Sequence, residues 1–187
     1  DRIFTESGLD RRLDAGRIVA AGHTYGANTV LLAAGAVFER PQGRQSHIEP
    51  RLAGAVIISA PPFHGEADPE AILRPIRIPT LHITATGDEI RLPGYQSGHE
   101  DRVRVFSAIG STRKALVVFR DGAHSMFTDR LAPGGEELNI QVKAATRDLT
   151  IAFLDEVLGG QEGAFGASHE RYREVIATLE SGLGTGL

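Results

Sequence analysis

The sequence contains no cysteine. Disulfides, thiolate metal ligands and a cysteine nucleophile are therefore excluded. A chain without cysteine folds in reducing and oxidising surroundings alike, so the compartment is undetermined, with the cytoplasm favoured and secretion left open. An excess of positive charge is also lacking, because the formal net charge is −4 and the Lys and Arg residues are scattered. This distribution argues against a nucleic-acid-binding surface, which needs a basic stripe.

Long apolar runs are absent too. The longest one, residues 29–38, is far shorter than the roughly 18–20 residues that cross a bilayer, so no membrane span is predicted. The only methionine is Met126 and the chain begins at Asp1, so we expect a segment upstream of Asp1 to be missing. With 187 residues, 41% of them hydrophobic and 24% charged, the sequence predicts one soluble globular domain over residues 1–187.

Four short apolar runs predict β-strands at residues 17–21, 55–59, 80–84 and 115–119. Their nearly continuous apolar character is typical of parallel strands that are covered on both faces. Longer stretches with helical spacing alternate with them and predict helices at residues 27–38, 101–109 and 141–158. The pattern indicates an α/β fold with a mainly parallel sheet flanked by helices.

The two remaining stretches carry weaker patterns. Residues 61–75 are rich in proline and charge, which predicts an irregular surface excursion. Residues 160–187 are expected to form a C-terminal helix, over 168–179, and a flexible Gly-rich tail.

The first predicted strand runs through Gly22-His23-Thr24-Tyr25-Gly26 directly into a helix. In such a sharp strand-to-helix turn, glycines are expected where backbones approach too closely for a Cβ, and the central side chain is lifted above the sheet. The backbone N–H of Tyr25, at the helix N-terminus, would face the space in front of the Thr24 hydroxyl and could stabilise an oxyanion. The alternative interpretation is an ordinary helix N-terminus with a threonine near the cap.

Two later loops carry further chemistry. Asp88 and Glu89 follow the third predicted strand, and His124 follows the fourth. Catalytic groups of open α/β sheets gather at the carboxyl edge of the strands. The chain order of nucleophile, acid and histidine is the one expected for an α/β-hydrolase. Glu89 is the second candidate for the acid.

These segments carry a resemblance to a known family. The stretches RIVAAGHTYGANTVLLAAGA, IPTLHITATGDEIRLPGY and VVFRDGAHSMFTDR resemble the nucleophile, acid and histidine loops of bacterial α/β-hydrolases. The most similar groups are esterases like dienelactone hydrolases, polyester depolymerases and chlorophyllases. The resemblance covers roughly residues 17–158 and implies the C-terminal portion of the α/β-hydrolase fold, with the early strands missing. It implies Thr24 as nucleophile, Asp88 as acid, His124 as general base and the Tyr25 N–H as oxyanion donor, acting on a small or polymeric ester without a cofactor.

The sequence departs from the family at two points. The family has serine where this chain has Thr24, and a β-branched side chain fits a strained turn poorly. The loop that supplies the second oxyanion donor in such hydrolases has no counterpart here. Three explanations of Thr24 follow. It is a weak but working nucleophile, it marks a natural loss of activity, or it was introduced to replace the serine. The alternative function is an inactive hydrolase-fold module for binding or assembly.

Other residues carry less specific signals. Phe63 lines an acyl pocket or covers the core, and Tyr95 is a candidate substrate contact. His23 is expected to pack beside the turn, and His82 to be a satisfied core histidine. No two histidines have the spacing of a metal site, so no metal is predicted. A partial sheet exposes an edge strand, so we expect it to pair with a second copy or with the missing N-terminal part.

Overall fold

The computed structural model describes residues 13–128, 130 and 135–184. Nine strands lie within them: β1 Ile18–His23, β2 Val37–Arg40, β3 Gly43–Ser46, β4 Leu52–Ile58, β5 Thr80–Gly87, β6 Ile90–Leu92, β7 Tyr95–Ser97, β8 Lys114–Ala123 and β9 Ile176–Ser181. The central sheet has the order β1-β4-β5-β8-β9. Its first four strands are parallel and β9 is antiparallel to β8. The four predicted strands are thus confirmed, and β2–β3 and β6–β7 form two small hairpins that the sequence did not predict.

The same residues contain five α-helices: α1 Tyr25–Ala34, α2 Pro69–Leu73, α3 His99–Ala108, α4 Gly135–Leu158 and α5 Ala164–Arg171. The three predicted helices correspond to α1, α3 and α4. Helix α1 ends four residues earlier than predicted because Gly35 adopts a left-handed conformation with φ 118° and its N–H caps the last turn. The residues after Gly35 form strand β2. None of these helices, within the described ranges, is long and apolar enough to cross a membrane.

Helices cover both faces of the sheet, as the apolar strands predicted. Alternate residues of a strand face opposite sides, and β4 shows this directly. Val56 packs in a core with Leu149 and Phe153 of α4. Ala55 and its neighbours on the other face pack with α1, α2 and α3 in a second core. The sheet is therefore held between two helical layers, which fixes where its strands end.

Two expectations about irregular or helical segments are wrong in whole or in part. Within residues 61–75, α2 begins at Pro69 and is capped by Asp68, whose carboxylate accepts the N–H of Ala71 at 3.0 Å. The predicted helix at 168–179 is correct only for residues 168–171, because α5 ends at Arg171 and the chain then forms β9. Pairing with β8 satisfies backbone groups at the sheet edge, and this tertiary interaction outweighs the helical spacing.

The end of the chain is only partly described. Leu183 is 9% exposed and belongs to the core that contains α4, so the chain is packed at least as far as this residue. Residues 185–187 lie outside the described residues, and the predicted flexible tail stays a prediction there. Strand β1 forms one edge of the sheet, and its pairing with a second copy likewise stays a prediction.

The register of the sheet brings four strand ends to one edge. His23 of β1 is level with Ile58 of β4, and Gly87 of β5 is level with Ala123 of β8. The residues that follow these strands are Thr24, Ser59, Asp88 and His124. Because parallel strands end at the same edge, these four positions form one cluster.

Candidate active site

Thr24 occupies a strained turn between β1 and α1. Its backbone has φ 52° and ψ −122°, a region that costs a non-glycine residue about 1–3 kcal/mol and that a β-branched side chain occupies rarely. The turn is fixed on both sides: the Thr24 N–H donates to the Ile58 carbonyl at 2.9 Å, and the Thr24 carbonyl accepts the N–H of Ala27 at 3.0 Å. The surrounding backbone therefore determines this unusual conformation.

Only one of the two flanking glycines is sterically required. A Cβ on Gly22 would lie 2.4 Å from the Gly26 carbonyl oxygen and 2.7 Å from the Ala27 nitrogen, both backbone atoms. A Cβ on Gly26 would meet none of the described atoms within 4 Å. The expected close approach is confirmed at Gly22 and wrong at Gly26, because Gly26 contributes its carbonyl to the contact while its own α-carbon is exposed.

Asp88 is fully buried at the end of β5 and uses its two carboxylate oxygens differently. Oδ1 lies 2.8 Å from Nδ1 of His124. Oδ2 accepts hydrogen bonds from the hydroxyls of Thr84, at 2.7 Å, and Ser59. Nε of Arg102 lies 3.6 Å from the same oxygen. One oxygen thus faces the histidine and the other faces the protein interior.

The charge state of Asp88 follows from these contacts. Burial opposes the charged carboxylate and would raise its pKa. The hydrogen bonds from His124, Ser59 and Thr84, together with the charge of Arg102, outweigh burial and hold the pKa of Asp88 below its ordinary value. A carboxylate can only accept hydrogen bonds. Nδ1 of His124 therefore carries the proton in this pair, and Nε2 is left to accept one.

His124 and Thr24 line the same cavity. The cavity has a volume of about 580 Å³, and the residues that line it are His23, Thr24, His124, Ser125, Thr128 and Arg130. The ring of His23 stacks on that of His124, with 4.9 Å between centroids and 29° between planes. Burial and the neighbouring His124 lower the pKa of His23. His23 thus packs beside the turn, as expected, and supports one face of the His124 ring.

The other predicted residues lie in different places. Tyr25 is the first residue of α1 and its side chain is 54% exposed. Phe63 packs edge-on against Phe38 at 5.0 Å, and Tyr95 lies 5.7 Å from the ring of His64. Neither Phe63 nor Tyr95 is among the described residues that line the Thr24 cavity. Their contact with a substrate stays a prediction.

Glu89, the second candidate for the acid, is directed elsewhere. Its carboxylate pairs with Arg91 at 2.6 Å and its side chain is 46% exposed. Asp88, by contrast, is fully buried and hydrogen-bonded to His124. The geometry therefore associates Asp88, not Glu89, with the histidine.

Three residues at this site were missed by sequence reasoning: Ser59, Thr84 and Arg102. Ser59 had a usable signal, because it is the first residue after β4 and so ends at the same edge as Thr24 and Asp88. It also has a positive φ of 52°. Thr84 lies inside β5, and Arg102 lies on a helix rich in charge. Neither of these two positions carries a motif.

His82 is a core histidine but not a fully satisfied one. It lies in β5, is 3% exposed, and its Nε2 has no hydrogen-bond partner among the described residues. Burial, and to a lesser extent the charge of Lys114, lower the pKa of His82 to about 3. The ring is therefore neutral, and it packs edge-on against Phe106 with 5.4 Å between centroids.

Comparison with known proteins gives a structural likeness only. No protein-family model matches the chain, and no curated protein matches it in sequence. Among solved structures, it is similar to a mutant of puromycin hydrolase complexed with PGG, with a TM-score of 0.51 and 12% identity over 82% of this chain. The chain has the α/β-hydrolase fold. It spans 24% of that hydrolase chain, and at this identity the likeness carries no information on substrate.

No metal centre is apparent in the described ranges. They contain no group of three or more His, Asp or Glu side chains that could hold a metal ion. The site brings together a hydroxyl on a strained turn, an imidazole and a buried carboxylate.

Proposed function

We propose that this chain carries the catalytic site of a hydrolase, and specifically of a carboxylic ester hydrolase that acts through Thr24, His124 and Asp88. One observation carries the proposal. The hydroxyl-bearing Thr24 sits on a turn with φ 52°, and it shares a cavity with a histidine whose Nδ1 is 2.8 Å from a buried carboxylate. Nucleophile, base and orienting acid are the three parts that acyl transfer needs. The structural likeness to puromycin hydrolase supports hydrolysis in general.

The proposed reaction has two stages. Nε2 of His124 takes the proton of the Thr24 hydroxyl while Oγ1 attacks the carbonyl carbon of the ester. The carbonyl oxygen becomes an oxyanion and accepts the N–H of Tyr25. The imidazolium then gives its proton to the departing alcohol oxygen as the C–O bond breaks, leaving an acyl-Thr24 ester. Asp88 stabilises the imidazolium and fixes its tautomer throughout.

The second stage repeats the first with water. His124 takes a proton from water, and the hydroxide adds to the acyl carbon. The bond to Thr24 Oγ1 then breaks, and the proton returns to that oxygen. The products are a carboxylic acid and the free hydroxyl, with no cofactor consumed. The 580 Å³ cavity is within the size range of sites for small ligands.

Replacing Thr24 by serine tests the proposal. Serine keeps the hydroxyl and removes the methyl group, and a misplacement of ~1 Å in the attacking atom costs on the order of 100-fold in rate. We expect Thr24→Ser to hydrolyse p-nitrophenyl acetate and butyrate up to about 100-fold faster than the unchanged chain. An initial burst of p-nitrophenol should accompany an acyl adduct at residue 24, detected by mass spectrometry.

Three further variants complete the test. Thr24→Ala, and His124→Ala combined with Thr24→Ser, should each show only background hydrolysis. Thr29→Ser is the matched control, because it makes the same change on α1 at an exposed position whose hydroxyl donates to the Tyr25 carbonyl at 3.3 Å. It should leave hydrolysis unchanged. Background activity in Thr24→Ser, with no effect of His124→Ala, would refute the ester hydrolase.

A binding or assembly module that keeps the hydrolase scaffold is the second candidate. The observation that favours it is Thr24 itself, because a β-branched residue at φ 52° is unfavourable and serine would relieve the crowding. On this interpretation, Thr24→Ser folds with unchanged or greater stability and still releases no p-nitrophenol. The same kinetic assay therefore separates the two candidates.

A further inference from the structure

Arg102 binds the side of Asp88 that His124 does not use. Its side chain is 3% exposed, and its Nε lies 3.6 Å from Oδ2 of Asp88, while His124 contacts Oδ1. We propose that Arg102 is a positioning residue of this site: its buried charge keeps Asp88 ionised and turns Oδ1 towards His124. The proposal deepens the hydrolytic function proposed above and rests on it.

The contacts of Asp88 explain why a cation is needed there. The carboxylate is fully buried, and an isolated buried charge is costly unless it is paired. Ser59 and Thr84 donate hydrogen bonds to Oδ2, but neutral hydroxyls do not cancel its charge. In the part of the chain that the structure describes, Asp88 forms ion pairs with two basic side chains, Arg102 and His124. Arg102 therefore supplies the fixed charge that lets the carboxylate stay ionised when His124 is neutral.

Arg102 is itself held in place by the start of α3. Nη1 donates to the Gly98 carbonyl at 2.8 Å and to the hydroxyl of Ser97. Ser97 in turn donates to Oδ2 of Asp101 at 2.8 Å. The other guanidinium nitrogens, Nε and Nη2, have no hydrogen-bond partner within the described ranges. The interaction of this cation with Asp88 is thus mainly one of charge, at a position set by β7 and α3.

Other titratable groups surround the pair and bear on the test. On the cavity side, His23 stacks on His124 and Arg130 lines the same space. On the interior side, His82 lies beside Arg102 around a small void, and Asp101 is reached through Ser97. All four groups are present in every Arg102 variant, so a difference between those variants reports the change at position 102.

The sign of the expected effect does not depend on which group takes the proton. Arg102 is a fixed positive charge, and removing it raises the proton affinity of every neighbouring group. The Asp88–His124 pair should therefore take up its proton at higher pH in Arg102→Met. Opposite charges within about 4–6 Å change carboxylate titration by 1–3 units, so we expect the midpoint for the pair to rise by about one pH unit.

The measurement is an NMR titration of the His124 ring in the chain as it exists. The sequence has seven histidines, and His124→Gln identifies the signal. Methionine is close to arginine in length, and a buried ion pair replaced at one partner often destabilises a protein. Ser97→Ala is therefore the second variant, because it loosens Arg102 without touching Asp88. It should move the midpoint in the same direction by a smaller amount.

Two controls separate a charge effect from a merely structural one. Arg102→Lys keeps the cation and should titrate at the pH of the unchanged chain. Arg104→Met makes the same substitution on the same helix, at a side chain that is 65% exposed and paired with Asp101. It should not move the midpoint. An unchanged midpoint in Arg102→Met, or a Lys variant that behaves like the Met variant, would overturn the proposal.

Kinetics then link the charge to turnover. In the Thr24→Ser background, kcat/KM falls at low pH. We expect the midpoint of this fall to lie at higher pH in Arg102→Met, by the same amount as the NMR midpoint, while KM changes little. The two hypotheses fail differently. If Thr24→Ser shows no hydrolysis, the esterase is wrong, but the NMR titration still decides whether Arg102 controls the Asp88–His124 pair.

Discussion

Replacing His82 by leucine should remove a pH dependence from the stability of the whole fold. His82 is 3% exposed in the middle of β5, and its Nε2 has no partner among the described residues. Burial and Lys114 lower its pKa from 6.5 to about 3. Leucine has a similar volume and no titratable group. The variant therefore isolates the contribution of one buried imidazole.

The sign follows from where each state takes up the proton. Above pH 6.5 the ring is neutral in both states and contributes no pH dependence. Between pH 6.5 and about 3 the unfolded chain binds a proton that the folded chain does not. The free energy of unfolding of the unchanged chain therefore falls as the pH falls through this window. Each pH unit is worth about 1.4 kcal/mol, so at pH 5 the loss is about 2 kcal/mol.

The assay is urea denaturation followed by circular dichroism at pH values from 8 to 5. Relative to the unchanged chain, His82→Leu should gain about 2 kcal/mol in free energy of unfolding between pH 8 and pH 5. Only this change with pH is diagnostic, since a constant offset reflects packing. His47→Leu, at an exposed histidine, is the control and should follow the unchanged chain. Parallel pH curves for His82→Leu and the unchanged chain would refute the argument, because they would mean that the folded ring accepts the proton.

Two further predictions concern the turn and the C-terminal layer. Gly22→Ala should destabilise the chain by about 1–3 kcal/mol or more, since its Cβ would lie 2.4 Å from a backbone oxygen. The control, Gly26→Ala, should be neutral or slightly stabilising. Equal urea midpoints for the two variants would contradict this prediction. Glu156→Ala should cost about 1–3 kcal/mol, because the buried Glu156 carboxylate accepts the N–H of Phe165 at 3.0 Å. The exposed Glu162→Ala is its control, and an unchanged urea midpoint for Glu156→Ala would show that this hydrogen bond contributes little.

The sequence was most informative where a pattern has a single structural solution. Four nearly continuous apolar runs predict four buried parallel strands. If one face of the sheet were exposed to solvent, apolar and polar residues would alternate along each strand. Asp88 and His124 could be found because each follows a strand directly, and the ends of parallel strands meet. The segment that forms β9 has no such pattern. Its residues after Ile176 are mostly exposed, so helical spacing and strand pairing were both compatible with it.

Arg102 shows why the interior side of the site escaped sequence reasoning. A stripe of apolar residues along α3 would join Val103, Phe106 and Ile109, but Val103 is only partly buried. The buried positions of α3 and of the residue that follows it include Arg102, Val105, Phe106 and Ile109. These positions have the spacing i, i+3, i+4, i+7 of one helix face. They match the buried face of a helix more fully than the apolar residues alone, provided that an arginine is accepted in the core. A search for apolar stripes does not predict that Arg102 is buried. A buried charge needs a partner, and helical periodicity does not show where that partner lies in the sequence. The partner here is Asp88, 14 residues earlier in the chain. An arginine that completes an otherwise regular buried stripe is therefore a signal for a buried carboxylate nearby, and in this fold it points from the interior to the acid of the proposed site.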